Sequence, residues 1–163
     1  MMPYILLVLS ILLFSAGIAG YIAAPYVPTR KKDVDRFLTL AELKRGDLFY
    51  DLGCGDGRIP KAAAEAGAKA VGFEISILNY YFCKIFRRGF EVKFKNFYTA
   101  DYHTVDAVYM FLSQSAHNKM GEILRRQMKK GSKIITYVWP IEGMVPARVD
   151  RVADYPNLFL YVM

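Results

Sequence analysis

The chain has 163 residues, 54% of them hydrophobic and 23% charged, with a formal net charge of +7. That length accommodates one domain of ordinary size and no second core. Two cysteines and two histidines exclude a disulfide scaffold, and none of them has the spacing of a zinc site.

In chain order, the first 29 residues carry no charged side chain, and Tyr4–Ala24 is apolar apart from two serines and a few small residues. About 20 helical residues span roughly 30 Å, close to the hydrocarbon thickness of a bilayer. The segment is therefore expected to be a single transmembrane helix. Residues 1–28 would form the anchor and a short linker, and residues 29–163 one domain. A cleaved signal peptide fits less well because no Lys or Arg precedes the apolar run. A buried core helix fits less well because the run is apolar all round. Charge begins at Arg30-Lys31-Lys32, which by the positive-inside rule puts the domain on the cytoplasmic side. Further basic residues gather at Lys84–Lys95 and Arg125–Lys133. They suit an anionic lipid surface or an acidic substrate, or are plain solvated helix faces.

Beyond the anchor, strand and helix patterns alternate. Thr39–Arg45 ends a helix and Leu48–Leu52 is a strand. Arg58–Ala66 is an alanine-rich helix, with Pro60 tolerated in its first turn. Ala70–Ile75 is a strand and Ser76–Arg88 a helix. Glu91–Phe97 alternates charged and apolar residues like a half-buried strand. Val105–Leu112 is nearly all apolar, like a central parallel strand. Ser113–Lys130 is a helix closed by Gly131, and Ser132–Trp139 a strand. Ala147–Tyr155 and Leu158–Met163 form a terminal hairpin. The pattern predicts an α/β fold, a Rossmann-like doubly wound sheet of seven strands with one antiparallel strand near its end.

The chemistry centres on Leu48-Phe-Tyr-Asp-Leu-Gly-Cys-Gly-Asp-Gly57. A strand ends in Asp51, glycines follow at Gly53, Gly55 and Gly57, and Glu74 closes the next strand. Pyrophosphate sites favour G-x-G-x-x-G against a helix N-terminus. Here the spacing is G-x-G-x-G after an acid, which would repel phosphate and suits an ammonium or sulfonium ligand. Gly53 serves the tight turn, Gly55 backbone approach to the ligand and Gly57 packing at the helix start. Cys54 and Asp56 complete the turn, and Cys54 and Cys83 read as free thiols of a reducing compartment. Glu74 offers two acceptor oxygens that suit paired ribose hydroxyls. His103 and His117 are isolated and read as surface residues.

This motif resembles motif I of the class I S-adenosylmethionine-dependent methyltransferases. The resemblance implies S-adenosylmethionine as cofactor, with Asp51 near its methionine part and no metal. Asn96 and Phe97 stand where the family commonly meets adenine. Pro25-Tyr26-Val27-Pro28-Thr29, Val34–Leu43 and Tyr50–Ile59 narrow the resemblance. They are similar to the small membrane-anchored protein-lysine methyltransferases that act on the adenine nucleotide translocase and on the c-ring protein of ATP synthase, and to their prokaryotic relatives. By that resemblance Tyr26 and Thr29 close over the cofactor, or they belong to a proline-stiffened linker. Met110-Phe-Leu-Ser-Gln114 lacks the Asn/Asp-Pro-Pro-Tyr/Phe motif, which argues against DNA adenine methylation. A lysine acceptor needs an apolar channel, for which Tyr102, Phe111 and Trp139 are candidates. The expected function is methylation of lysine in a protein, with a membrane protein as one acceptor class. The alternatives are RNA, a small lipophilic molecule, or a cofactor-binding membrane module without turnover.

Overall fold

The structure, a computed structural model, describes residues 2–22 and 26–163. Seven strands form one sheet: β1 Leu48–Leu52, β2 Lys69–Glu74, β3 Glu91–Phe94, β4 Ala107–Met110, β5 Lys133–Tyr137, β6 Arg148–Asp150 and β7 Leu158–Val162. Their order is β3-β2-β1-β4-β5-β7-β6. β1 to β5 pair in parallel, while β7 lies antiparallel to both β5 and β6. The helices are α1 Met2–Ile22, α2 Lys31–Ala41, α3 Arg58–Glu65, α4 Ile77–Phe86 and α5 Gln114–Gln127.

The parallel strands are apolar throughout because both faces of the sheet are covered. Successive residues of one strand go to opposite layers. Val108 packs with Met120 and Leu124 of α5, whereas Tyr109 packs with Phe37 of α2 and Ile59 and Ala63 of α3. α2 buries Asp33, Phe37, Leu40 and Ala41, a helical spacing that gives it one apolar face. It starts at Lys31, so the basic run that reads as a membrane flank forms its first turn. The third strand is shorter than its alternation suggests. It ends at Phe94, and Phe97–Thr99 forms a 3-10 turn capped by the Asn96 side chain, which accepts from the Tyr98 N–H at 3.0 Å.

The N-terminal apolar run folds as α1. Among the described residues no helix is long and apolar enough to cross a membrane. The expected transmembrane anchor, and with it the single-pass membrane placement and the cytoplasmic side assigned to the domain, is therefore corrected. Ala23 and Ala24 of the expected span, and Pro25 of the proline element, lie outside the described residues. The second half of the run is interrupted by small and polar residues such as Ser15, Gly17 and Gly20. There α1 lies against α4, and its two glycines face the central cavity.

Candidate functional site

Strand order reverses between β1 and β4, the position at which an open α/β sheet leaves a crevice beyond its strand ends. A cavity of about 660 Å³ occupies that crevice, a size suited to a small-molecule ligand. Asp51 enters it from the end of β1 and Glu74 from the end of β2, and both are buried.

Glu74 holds the glycine turn. Its Oε2 accepts from the Gly55 N–H at 2.9 Å, and its Oε1 accepts from the N–H groups of Ile75 and Ser76 at 2.8 and 2.7 Å. Burial pushes its carboxyl up, and these backbone donors offset part of that rise. Asp51 is raised well above the usual carboxylate range, first by burial and then by the Glu74 charge. Two buried acids that resist ionisation beside each other would welcome a cation.

Two of the glycines are required where they stand. Gly55 has φ +55°, and a Cβ there would meet the Tyr26 ring at 2.7 Å. Gly57 has φ +74°, and a Cβ would strike Phe90 at 2.5 Å and the Cys83 sulfur at 3.0 Å. Left-handed backbone excludes most side chains, and the close neighbours exclude the rest.

Residues 26–29 run across the turn and are pinned on both sides. The Thr29 hydroxyl pairs with the buried Tyr109 hydroxyl at 3.0 Å, and its carbonyl accepts from Arg58 Nη1 at 2.5 Å. Arg58 in turn grips Asp56 at 2.7 Å, and Arg87 reaches the same carboxylate at 3.3 Å. Burial would push the Asp56 carboxyl up, but the Arg58 hydrogen bonds and charge outweigh it and hold it low.

The cavity wall includes Tyr26, Thr29, Asp51, Gly53, Cys54 and Gly55. It also includes Asp56, Glu74 and Phe97, together with Phe111 and Trp139. Three residues expected at the site stand elsewhere. Gly57 packs behind the turn, Asn96 caps the 3-10 turn, and Tyr102 is buried in the core with its hydroxyl donating to the Phe97 carbonyl at 2.6 Å. Tyr102 is thus not a channel residue: its ring fills the layer between the sheet and α5. Arg58, Tyr109, Leu112 and Ser113 also line the cavity, although the sequence assigns none of them a role at the site. Arg58 follows the glycine turn directly, and an Asp-x-Arg pair is the signal that points to it. Tyr109 carries none, since a tyrosine in a central strand reads as core. His117 is buried rather than at the surface, and Cys54 and Cys83 are free and buried. No group of His, Cys, Asp or Glu among the described residues is placed to hold a metal.

The turn after β5 is bent. Val138 has φ +72°, a region that a β-branched residue seldom enters and that costs about 1–3 kcal/mol. The bend places Trp139, 46% exposed, on the cavity wall that Phe111 also lines.

The family model described as the ANTKMT methyltransferase domain matches residues 51–148. The chain belongs to that family. Its activity is S-adenosylmethionine-dependent methyl transfer, and S-adenosylmethionine is its cofactor. A protein-lysine N-methyltransferase of Saccharolobus islandicus (strain REY15A) is 34% identical over 151 residues, 85% of this chain and 93% of that protein. The ATP synthase c-subunit lysine N-methyltransferase of Rattus norvegicus is 29% identical over 82% of this chain, which spans 64% of the rat enzyme. Among solved structures, an RNA methyltransferase from Salinibacter ruber in complex with S-adenosyl-L-homocysteine superposes with a TM-score of 0.79. It is 29% identical and covers 83% of this chain and 93% of its own. The cavity of this member of the family suits the cofactor in size, and its buried acids suit a sulfonium and an ammonium.

Proposed function

We propose that this methyltransferase modifies the side-chain amine of lysine in a protein acceptor. The observation that carries the reading is the character of the cavity beyond β4 and β5, where Phe111, Leu112 and Trp139 supply apolar and aromatic surface. A lysine ammonium has an unperturbed pKa of about 10.4 and no lone pair to attack with. Apolar surroundings disfavour the charged form, so these side chains would strip water and favour the neutral amine. The cofactor supplies, when bound, a methyl group already activated on sulfonium, so the chain has only to desolvate and aim the amine. The lysine-directed names of the archaeal and rat relatives support the same reading.

On the cofactor side, Asp51 would face the cationic part of the ligand and Glu74 the ribose hydroxyls. Gly53, Cys54 and Gly55 would let the backbone approach, and Phe97 would cover the adenine ring. Tyr26 and Thr29 would cover the ligand from the N-terminal loop, held by Arg58 and Asp56. Gly57 and Asn96 would support this set from behind.

RNA is the second reading, favoured by the net charge of +7 and by the RNA methyltransferase structure. One experiment separates them. The purified chain is incubated with cell extract and radiolabelled S-adenosylmethionine, and the products are fractionated and hydrolysed in acid. Label recovered as methyl-lysine is expected. Label confined to RNA or to the lipid extract would reject the lysine reading, and no transfer at all would leave a cofactor-binding module.

A further inference from the structure

His117 lies in the first turns of α5 with its side chain fully buried. The Leu112 N–H donates to its Nε2 at 3.1 Å, and its Nδ1 lies 3.0 Å from the Trp139 carbonyl oxygen. A backbone N–H can only donate and a carbonyl can only accept. The ring is therefore neutral, with its proton on Nδ1. Burial agrees, pushing the imidazole down to about 4.

Both partners stand on the cavity wall. Leu112 follows β4 and Trp139 follows β5, so one imidazole ties together the ends of two neighbouring strands. The Trp139 carbonyl also accepts from Thr136 Oγ1 at 2.7 Å. Between them Val138 is held in left-handed backbone, which persists only when the surroundings enforce it. His117 and Thr136 hold the turn at the Trp139 carbonyl, while the Trp139 N–H donates to the Tyr137 carbonyl and the Val138 N–H to the Asn157 carbonyl, each at 2.9 Å. Where the indole of Trp139 stands depends on the shape of this turn.

We propose that His117 is a positioning residue for the acceptor: it clamps the Trp139 turn against the end of β4 and so fixes the aromatic wall along which the acceptor amine enters. The inference rests on the lysine reading above and adds a residue that neither touches the cofactor nor reacts.

The two arms of the imidazole can be separated. His117→Asn keeps a donor near the Nδ1 position, facing Trp139. His117→Gln keeps an acceptor near the Nε2 position, facing Leu112. Trp139 is the sole tryptophan, so intrinsic emission and its quenching by acrylamide report on this turn alone. The full chain is assayed for S-adenosylhomocysteine affinity by calorimetry, for methyl transfer into total denatured cell protein, and for quenching. His117→Gln is expected to keep S-adenosylhomocysteine affinity within about twofold, to lower apparent kcat/KM for protein about tenfold, mainly through KM, and to raise quenching about twofold. His117→Asn is expected to recover kcat/KM and quenching to within about threefold of the parent. Trp139→Ala, at an exposed position, is expected to reproduce the kinetic loss. Equal transfer by the Asn and Gln variants, or parental kcat/KM in Trp139→Ala, overturns the proposal. Should His117→Gln fail to fold, Trp139→Ala and His117→Asn decide alone. Absence of methyl-lysine with the parent chain rejects the lysine reading itself, an outcome that involves no variant.

Discussion

At the scale of single residues, Asp51 sets a conflict between stability and binding. Its carboxyl is raised by burial and by Glu74, so the folded chain holds a proton that the unfolded chain releases near the ordinary value of about 4. The stability gained from the neutral form is full below that ordinary value and is lost as pH rises through the raised one. Asp51→Asn removes the titration without removing volume. Thermal unfolding of the ligand-free variant between about pH 4 and 9 should show a Tm whose lead over the parent grows from the acid to the alkaline side, by about 2–4 °C per kcal/mol. Cofactor affinity should fall about tenfold or more, because a fixed charge opposite the ligand cation is gone. A Tm gap that does not vary with pH would refute the argument.

A second residue-scale expectation concerns protons. A cationic ligand lowers the carboxyl pKa that burial raised. Binding of S-adenosylhomocysteine, which keeps the ammonium, should therefore release protons where Asp51 is partly neutral. Calorimetry in two buffers of different ionisation enthalpy would detect this, and identical heats would count against it. The glycines make a third. Gly57→Ala forces a methyl group into Phe90 and Cys83 and should cost about 2–3 kcal/mol. Gly55→Ala meets only the exposed Tyr26 ring and should cost about 1–2 kcal/mol while weakening cofactor binding more than Gly57→Ala does. Denaturant unfolding beside ligand titration tests the ranking.

At the scale of elements, α2 is latched to β5 and to the C-terminal hairpin by one buried ion pair, Asp33 with Arg36. Asp33 is fully buried and accepts from Arg36 at 2.7 Å and from the Tyr137 hydroxyl at 2.5 Å. Arg36 also pairs with Asp150 at 2.7 Å and donates to the Pro156 carbonyl. Removing one partner of a buried pair strands the other charge. Arg36→Met should cost about 3–5 kcal/mol, and Asp33→Asn with Arg36→Met should recover part of it, read by chemical denaturation. No recovery would mean that the stranded charge is not the cause.

The elements also differ in how far their sequences reveal them. β1 is found at the expected Leu48–Leu52 because a short apolar run between two turns admits few other readings. Asp51 and Glu74 stand out because an acid ends each of two neighbouring strands. α2 is legible only at its C-terminal end, since Arg30–Lys32 has the same composition whether it flanks a bilayer or opens a helix. His117 reads as a surface residue because its partners are backbone groups of two loops, and a backbone hydrogen bond leaves no trace in the side-chain pattern. Tyr102 misleads for a related reason. Periodicity tells that an aromatic is buried, not which side of a wall it occupies.

At the scale of the molecule, β7 lies between β5 and β6 although it is the last strand in the sequence. Leu158, Phe159, Leu160 and Tyr161 are all buried, and the Met163 N–H donates to the Ser132 carbonyl. Deletion of residues 158–163 should abolish cooperative unfolding, as seen by circular dichroism on heating, because it empties an interior position of the sheet and not an edge. A sharp residual transition would contradict this.

β7 also reaches the Trp139 turn. The Val138 N–H donates to the Asn157 carbonyl at 2.9 Å, and the Ile141 N–H to the Tyr161 hydroxyl at 2.8 Å. A ribosome delivers residues in order, at about 5–20 per second. The glycine turn and both strand-end acids emerge before β7, whose docking holds the wall opposite them. Because the sheet itself needs β7, a chain still lacking that strand would hold neither side of the cavity in place, and methyl transfer would begin only once the sheet has closed.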